Sequence, residues 1–159
     1  MRITETVERL CRRYGTRDPF EIADQRRILI LFESLGEIRG YCSTAYRQKF
    51  IHINQDLTEE QQRFTCCHEL GHIILHPGLN TPFLRENTLF SVSKLETEAN
   101  RFAICMLCDQ DVAQEMIQGG RQVSDIPAPW RDLVQWRLEQ LEHAAAFRQS
   151  LLSLKDFTR

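Results

Sequence analysis

The sequence predicts an α+β fold: a small three-stranded antiparallel sheet beside a long motif-bearing helix, with further helices toward the C-terminus. Three observations predict it. Residues 28–54 hold three short β-type runs, residues 59–76 an amphipathic helix between a cap and a stop, and residues 94–106 apolar side chains at helical spacing.

At the N-terminus Val7, Leu10, Cys11 and Tyr14 recur at helical spacing and give a first helix. Asp18-Pro19 suits the N-cap and first position of a short second one. Residues 28–33, 37–46 and 49–54 then read as strands, with Phe50, His52 and Asn54 alternating against Ile51, Ile53 and Gln55. Short connections through Leu35-Gly36 and Arg47-Gln48 favour an antiparallel meander.

Thr58 and Gln61 have the form of a capping box, Glu59 and Glu60 suit the positive end of a helix, and Pro77-Gly78 supply a stop. One helix is therefore expected from about Glu59 to His76. Phe64, Leu70, Ile73, Ile74 and Leu75 would form its buried face, with Glu59, Gln61, Gln62 and Arg63 in water. This helix carries His68-Glu69-Leu70-Gly71-His72. Two histidines four apart project from one face and can share a metal ion, while the glutamate between them reaches a water at that ion.

A catalytic zinc normally takes three protein ligands, so a third must come from elsewhere. Leu95, Ala99, Phe102, Ala103 and Met106 mark a second long helix, on which Glu96 and Asn100 share a face. Glu96 is the candidate third ligand and Asn100 a hydrogen-bond partner for a ligand histidine. Glu98 points about 200° away around the axis and is the weaker candidate. Ser93 stands three residues before Glu96, so Glu96 also satisfies a capping-box pattern. His76 is assigned to structure, and His52 with Tyr41, on adjacent strands, are candidates to stabilise an oxyanion.

Residues 77–92, with two prolines, a glycine and little periodicity, are expected to be a loop of the kind that lines a cleft. Gly119-Gly120 end a short helix from about Gln110. Pro127-Ala128-Pro129 introduce a last helix bearing Leu133, Val134, Leu138 and Leu141. No repeat is present, and one domain spanning residues 1–159 is expected.

At 42% hydrophobic and 26% charged residues the chain can bury a real core. A formal charge of -2 argues against nonspecific binding to a phosphate backbone, and the pairs Arg12-Arg13 and Arg26-Arg27 read as solvated surface, so no direct nucleic-acid partner is expected. Ile28-Leu29-Ile30-Leu31-Phe32 is strand-sized, no run spans a bilayer and no secretory segment opens the chain, which points to the cytoplasm. There the six cysteines, Cys11, Cys42, Cys66, Cys67, Cys105 and Cys108, stay reduced and serve as small buried hydrophobes. Cys105 and Cys108 stand as a single pair at i, i+3, and with Cys66 and Cys67 they are the remaining candidates for a metal or redox role.

His68-Glu69-Leu70-Gly71-His72, followed by Glu96-Thr97-Glu98-Ala99-Asn100-Arg101-Phe102-Ala103, resembles the ImmA/IrrE group of zinc metallopeptidases. Tyr14-Gly15-Thr16-Arg17-Asp18-Pro19-Phe20-Glu21-Ile22-Ala23 and Ile51-His52-Ile53-Asn54 are similar to that family's N-terminal region. The resemblance implies a zincin-like fold, with zinc ligands at His68, His72 and Glu96 and the general base at Glu69. It also implies endopeptidase activity, commonly against a repressor that keeps a mobile element or phage silent. Two departures stand out: the second helix ends in Cys105-Met106-Leu107-Cys108-Asp109, where the family commonly has Leu-Leu-Met-Pro, and Asn100 replaces an Asp common in zincins. An amide still orients an imidazole but stabilises its positive charge less. The resulting expectation is a zinc-dependent endopeptidase acting on a protein. The alternative is a noncatalytic zinc-containing regulator or interaction module that binds a repressor.

Overall fold

The computed structural model describes residues 2–78, 89–119 and 130–156. The chain divides into two units, Met1–Leu107 and Cys108–Arg159. In the first, helices α1 (Ile3–Tyr14) and α2 (Pro19–Gln25) precede strands β1 (Leu29–Glu33), β2 (Gly40–Ala45) and β3 (Gln48–Asn54), and helices α3 (Glu59–Leu75) and α4 (Leu89–Leu107) follow. This is an α+β architecture of the expected kind. Local chemistry sets the boundaries: Gly15 closes α1 at φ 70°, and Asp18 Oδ1 accepts from the Phe20 N–H at 2.9 Å to open α2.

The sheet is mixed, which corrects the expected antiparallel meander. Its order is β1-β3-β2, with β1 parallel to β3 and β2 antiparallel to it. The tight turn lies between β2 and β3, where Tyr46 and Arg47 both take positive φ (51° and 65°) in the mirror-image hairpin turn that matches strand twist. That hairpin occupies one edge of β3 and leaves the other to β1. The chain after β1 therefore crosses the end of β3, and Asn54 secures the crossing. Its Nδ2 donates to the Gly36 and Ile38 carbonyls at 2.9 and 3.0 Å, and its backbone N–H donates to Arg39 at 2.8 Å.

Gly40 fixes which face of the sheet meets α3. A Cβ there would lie 2.6 Å from both Thr65 Cγ2 of α3 and the His52 carbonyl oxygen. The register pairs Gly40 with Ile53 and Cys42 with Ile51, so these four positions face α3. Alternation sends Tyr41, Ser43, Phe50 and His52 to the opposite face.

Helix α3 opens on the expected capping box: Thr58 Oγ1 accepts from the Gln61 N–H at 3.2 Å, and Gln61 Oε1 accepts from the Thr58 N–H at 3.1 Å. Its buried surface is broader than a single apolar stripe. Leu70 and Ile73 are buried as expected, together with Thr65, Cys66, Cys67 and Gly71, while Phe64, Ile74 and Leu75 are half-buried. The sheet covers one side of the helix and α4 the other. Against α4 the contact is close, since a Cβ on Gly71 would sit 3.0–3.1 Å from Phe102 side-chain atoms. Helix α4 already includes residues 89–92, which the expected loop 77–92 had taken in; residues 79–88 of that loop lie outside the described residues. The early start also places Ser93 inside the helix, so Ser93 and Glu96 do not form a cap. At the other end Arg17 donates to the carbonyls of Cys105 and Met106 at 2.5 and 3.1 Å, satisfying groups that a helix C-terminus leaves open.

In the second unit Asp109 Oδ1 accepts from the Val112 N–H at 2.9 Å at the start of α5 (Gln110–Gln118), and Gly119 follows it as expected. Helix α6 (Trp130–Asp156) carries Leu133, Val134, Leu138 and Leu141 half-buried. The buried Arg137 side chain donates to the Cys108 carbonyl at 2.7 Å. Gly120 and Pro127-Ala128-Pro129 lie outside the described residues.

Gly40→Ala tests the sheet–helix contact. The added methyl meets a backbone oxygen that cannot rotate away, so stability in denaturant unfolding falls by roughly 1–3 kcal/mol. An unchanged midpoint would refute the close approach.

Candidate metal centre

Helices α3 and α4 bring three ligand-type atoms to one point. His68 Nε2 lies 3.0 Å from Glu96 Oε2, His72 Nε2 lies 3.2 Å from Glu96 Oε1, and the two Nε2 atoms are 3.1 Å apart. Among the described residues, His68, His72 and Glu96 are the group of three or more His, Cys, Asp or Glu arranged to hold a metal ion. Their separations suit such an ion, because tetrahedral bonds of about 2.0–2.1 Å place ligand atoms roughly 3.3 Å apart. The donor set of two imidazoles and a carboxylate is one that zinc accepts with a position left open.

Asn100 lies where the one-turn spacing from Glu96 put it. Its Oδ1 is 2.8 Å from His68 Nδ1. An amide oxygen only accepts, so Nδ1 carries a hydrogen and Nε2 is the ring atom turned to the cluster. The His72 side chain is fully buried and, among the described residues, no hydrogen bond reaches its Nδ1. Glu69 follows His68 on α3 and is 3% exposed, in reach of the interior and shielded from bulk water.

Electrostatics bind the cluster together. Burial raises the Glu96 carboxyl, but hydrogen bonds from His68 and His72 and their charges overcome it and hold the group far below the usual carboxylate range. Burial lowers His68, yet its bonds to Glu96 and Asn100 and the charge of Glu69 leave it raised on balance. Without a metal, then, the cluster favours the protonated form of His68 more than water does.

The other candidates separate from this point. Glu98 pairs with His76, whose Nε2 is 3.1 Å from Glu98 Oε2, and burial lowers His76 despite that neighbour. The six cysteines are buried and none forms a disulfide; burial raises the Cys66 and Cys67 thiols, the inert condition. His52 and Tyr41 stack at 4.1 Å on the sheet face turned away from α3. Both His52 ring nitrogens are already engaged, by Ser43 Oγ at 2.9 Å and Glu33 Oε2 at 2.8 Å. That network and the His76–Glu98 pair were missed from sequence; the strand register that aligns Glu33, Ser43 and His52 was the missing signal.

An α+β fold whose HExxH helix and partner helix present two imidazoles and a carboxylate to one point defines a metallopeptidase-like domain. The IrrE N-terminal-like domain family of peptidases matches residues 23–150. Bacillus phage phi105 encodes an "uncharacterized immunity region protein 2" that is 45% identical over 106 residues, covering 66% of this chain and 67% of that protein. "Metallopeptidase ImmA" of Bacillus subtilis strain 168 is 33% identical over 117 residues, covering 72% of this chain and 68% of that protein. The chain belongs to the ImmA/IrrE family of metallopeptidases.

Because His68 is raised, a metal must displace its proton. Zinc affinity therefore falls with acidification, starting above the ordinary imidazole value of 6.5. Calorimetric titrations between about pH 5.5 and 8, in buffers of different ionisation enthalpy, should show proton release on binding. Affinity independent of pH would contradict the coupling.

Proposed function

We propose that this chain is a zinc-dependent endopeptidase that hydrolyses a peptide bond in a protein, with a helix-turn-helix repressor of a mobile element or phage as the substrate class. One observation carries the catalytic part: His68 and His72 Nε2 and the Glu96 carboxylate converge while Glu69 stands buried beside them. The repressor rests on likeness to a phage protein named for an immunity region. Such a substrate works in the cytoplasm, and no described helix is long and apolar enough to cross a membrane. The family match runs from residue 23 to 150 across the unit boundary at Leu107, which supports one functional domain.

His68, His72 and Glu96 hold the ion, and Asn100 fixes the His68 tautomer. A zinc ion there would lower the pKa of a coordinated water toward about 7 and polarise the scissile carbonyl. Glu69 takes the proton of the attacking water, and its burial keeps that carboxylate from exchanging freely with solvent. The same carboxyl then delivers the proton to the leaving amine, so Glu69 returns to its starting form.

Metal analysis tests the ligands. Wild type and Glu98→Ala should each carry about one zinc per chain, while His68→Ala and Glu96→Ala should lose it. Zinc lost from Glu98→Ala but retained in Glu96→Ala would exchange the two carboxylates.

Glu69→Gln separates holding the metal from chemistry. It should keep fold and zinc while turnover on the repressor of its own element drops on the order of a hundredfold or more. Equal fragment time courses for wild type and variant would reject Glu69 as base. No cleavage by wild type of a repressor that it binds would favour the noncatalytic regulator.

A further inference from the structure

We infer that the sheet face turned away from the metal helix carries a second, independent site, in which Glu33, His52 and Ser43 form a charge-oriented nucleophile for small esters with an apolar acyl group. Each strand supplies one member: Glu33 from β1, His52 from β3 and Ser43 from β2. Ser43 Oγ lies 2.9 Å from His52 Nε2, and His52 Nδ1 lies 2.8 Å from Glu33 Oε2. A carboxylate only accepts, so it draws the imidazole hydrogen to Nδ1 and leaves the Nε2 lone pair for the serine proton. Those are the distances and the tautomer that a nucleophile, base and orienting acid require.

Register places the three together on one surface. His52 pairs with Tyr41 on β2 and Leu31 on β1, so Ser43 and Glu33 each stand two residues along on the same face. The opposite face meets α3 through Gly40 and Thr65, so the sheet itself divides this cluster from His68, His72 and Glu96. Mounting on a paired sheet holds the geometry better than a loop would. The surroundings favour an apolar acyl group: Leu31 is 37% exposed, Phe50 stands directly across from Ser43, and Tyr41 stacks on the imidazole at 4.1 Å.

In the reaction Ser43 Oγ bonds to the acyl carbon while its proton passes to His52 Nε2. The bond to the leaving alcohol breaks, and the alcohol takes that proton. Water then attacks the acyl-serine, gives a proton to Nε2, and releases the carboxylic acid as that proton returns to Ser43 Oγ. Glu33 stays ionised throughout and steadies the transient imidazolium.

The test uses the full chain and a fluorophosphonate probe, whose phosphorus the serine captures with loss of fluoride. Peptide mass spectrometry should place a single adduct on Ser43, absent in Ser43→Ala and formed at least about tenfold more slowly in His52→Gln. Thr44→Val, which removes the next hydroxyl on β2, should label like wild type. If circular dichroism shows His52→Gln unfolded, the size-matched Glu33→Gln replaces it with the same expected slowing. No adduct on folded wild type, an adduct elsewhere, or labelling indifferent to the base variant would overturn the proposal and leave the network a strand tie.

Discussion

The close approach of two helices at Gly71 and Phe102 is the constraint on which the rest depends. Side chains of ordinary size hold helices 8–10 Å apart, and here a missing Cβ lets the Phe102 ring rest on the helix backbone. Only at that distance can one short carboxylate on α4 touch two imidazoles on α3, and one amide reach the far nitrogen of His68. The remaining elements hold the pair in place. Arg17 fastens the end of α4, the capping box fixes the start of α3, and the sheet presses on α3 through Gly40.

Partly burying this cluster is costly, and the fold offsets the cost with charge pairing. A buried imidazole, a half-buried one and a half-buried carboxylate would each resist ionisation alone. Together they stabilise one another, which is why the Glu96 carboxyl is held low and the His68 imidazole is raised. A divalent cation competes with protons for a site whose geometry is already set. The neighbouring Cys66 and Cys67, raised by burial, do not compete as thiolates.

Much of the site was legible because its signals are local. Thr58 and Gln61 cap as their spacing says, His68 and His72 share a face by helix periodicity, and Glu96 and Asn100 follow from one turn of a second helix. The sheet order was not legible. Tyr46-Arg47 forms a mirror-image turn without the Gly or Asn that would announce it, and the crossing over β3 is secured by Asn54 through contacts distant in sequence. For the same reason the Glu33–His52–Ser43 network stayed hidden, since it exists only when β1 and β2 flank β3. The capping alternative for Ser93 and Glu96 falls away because α4 begins at Leu89.

X-ray absorption at the zinc edge of the loaded protein tests the central claim most directly, because it reads the atoms bound to the ion. Two imidazoles and a carboxylate predict a nitrogen and oxygen shell at about 2.0–2.1 Å, with outer scattering from two rings and a remaining light-atom position for solvent. A sulfur shell near 2.3 Å would assign the metal to the cysteines and contradict this account.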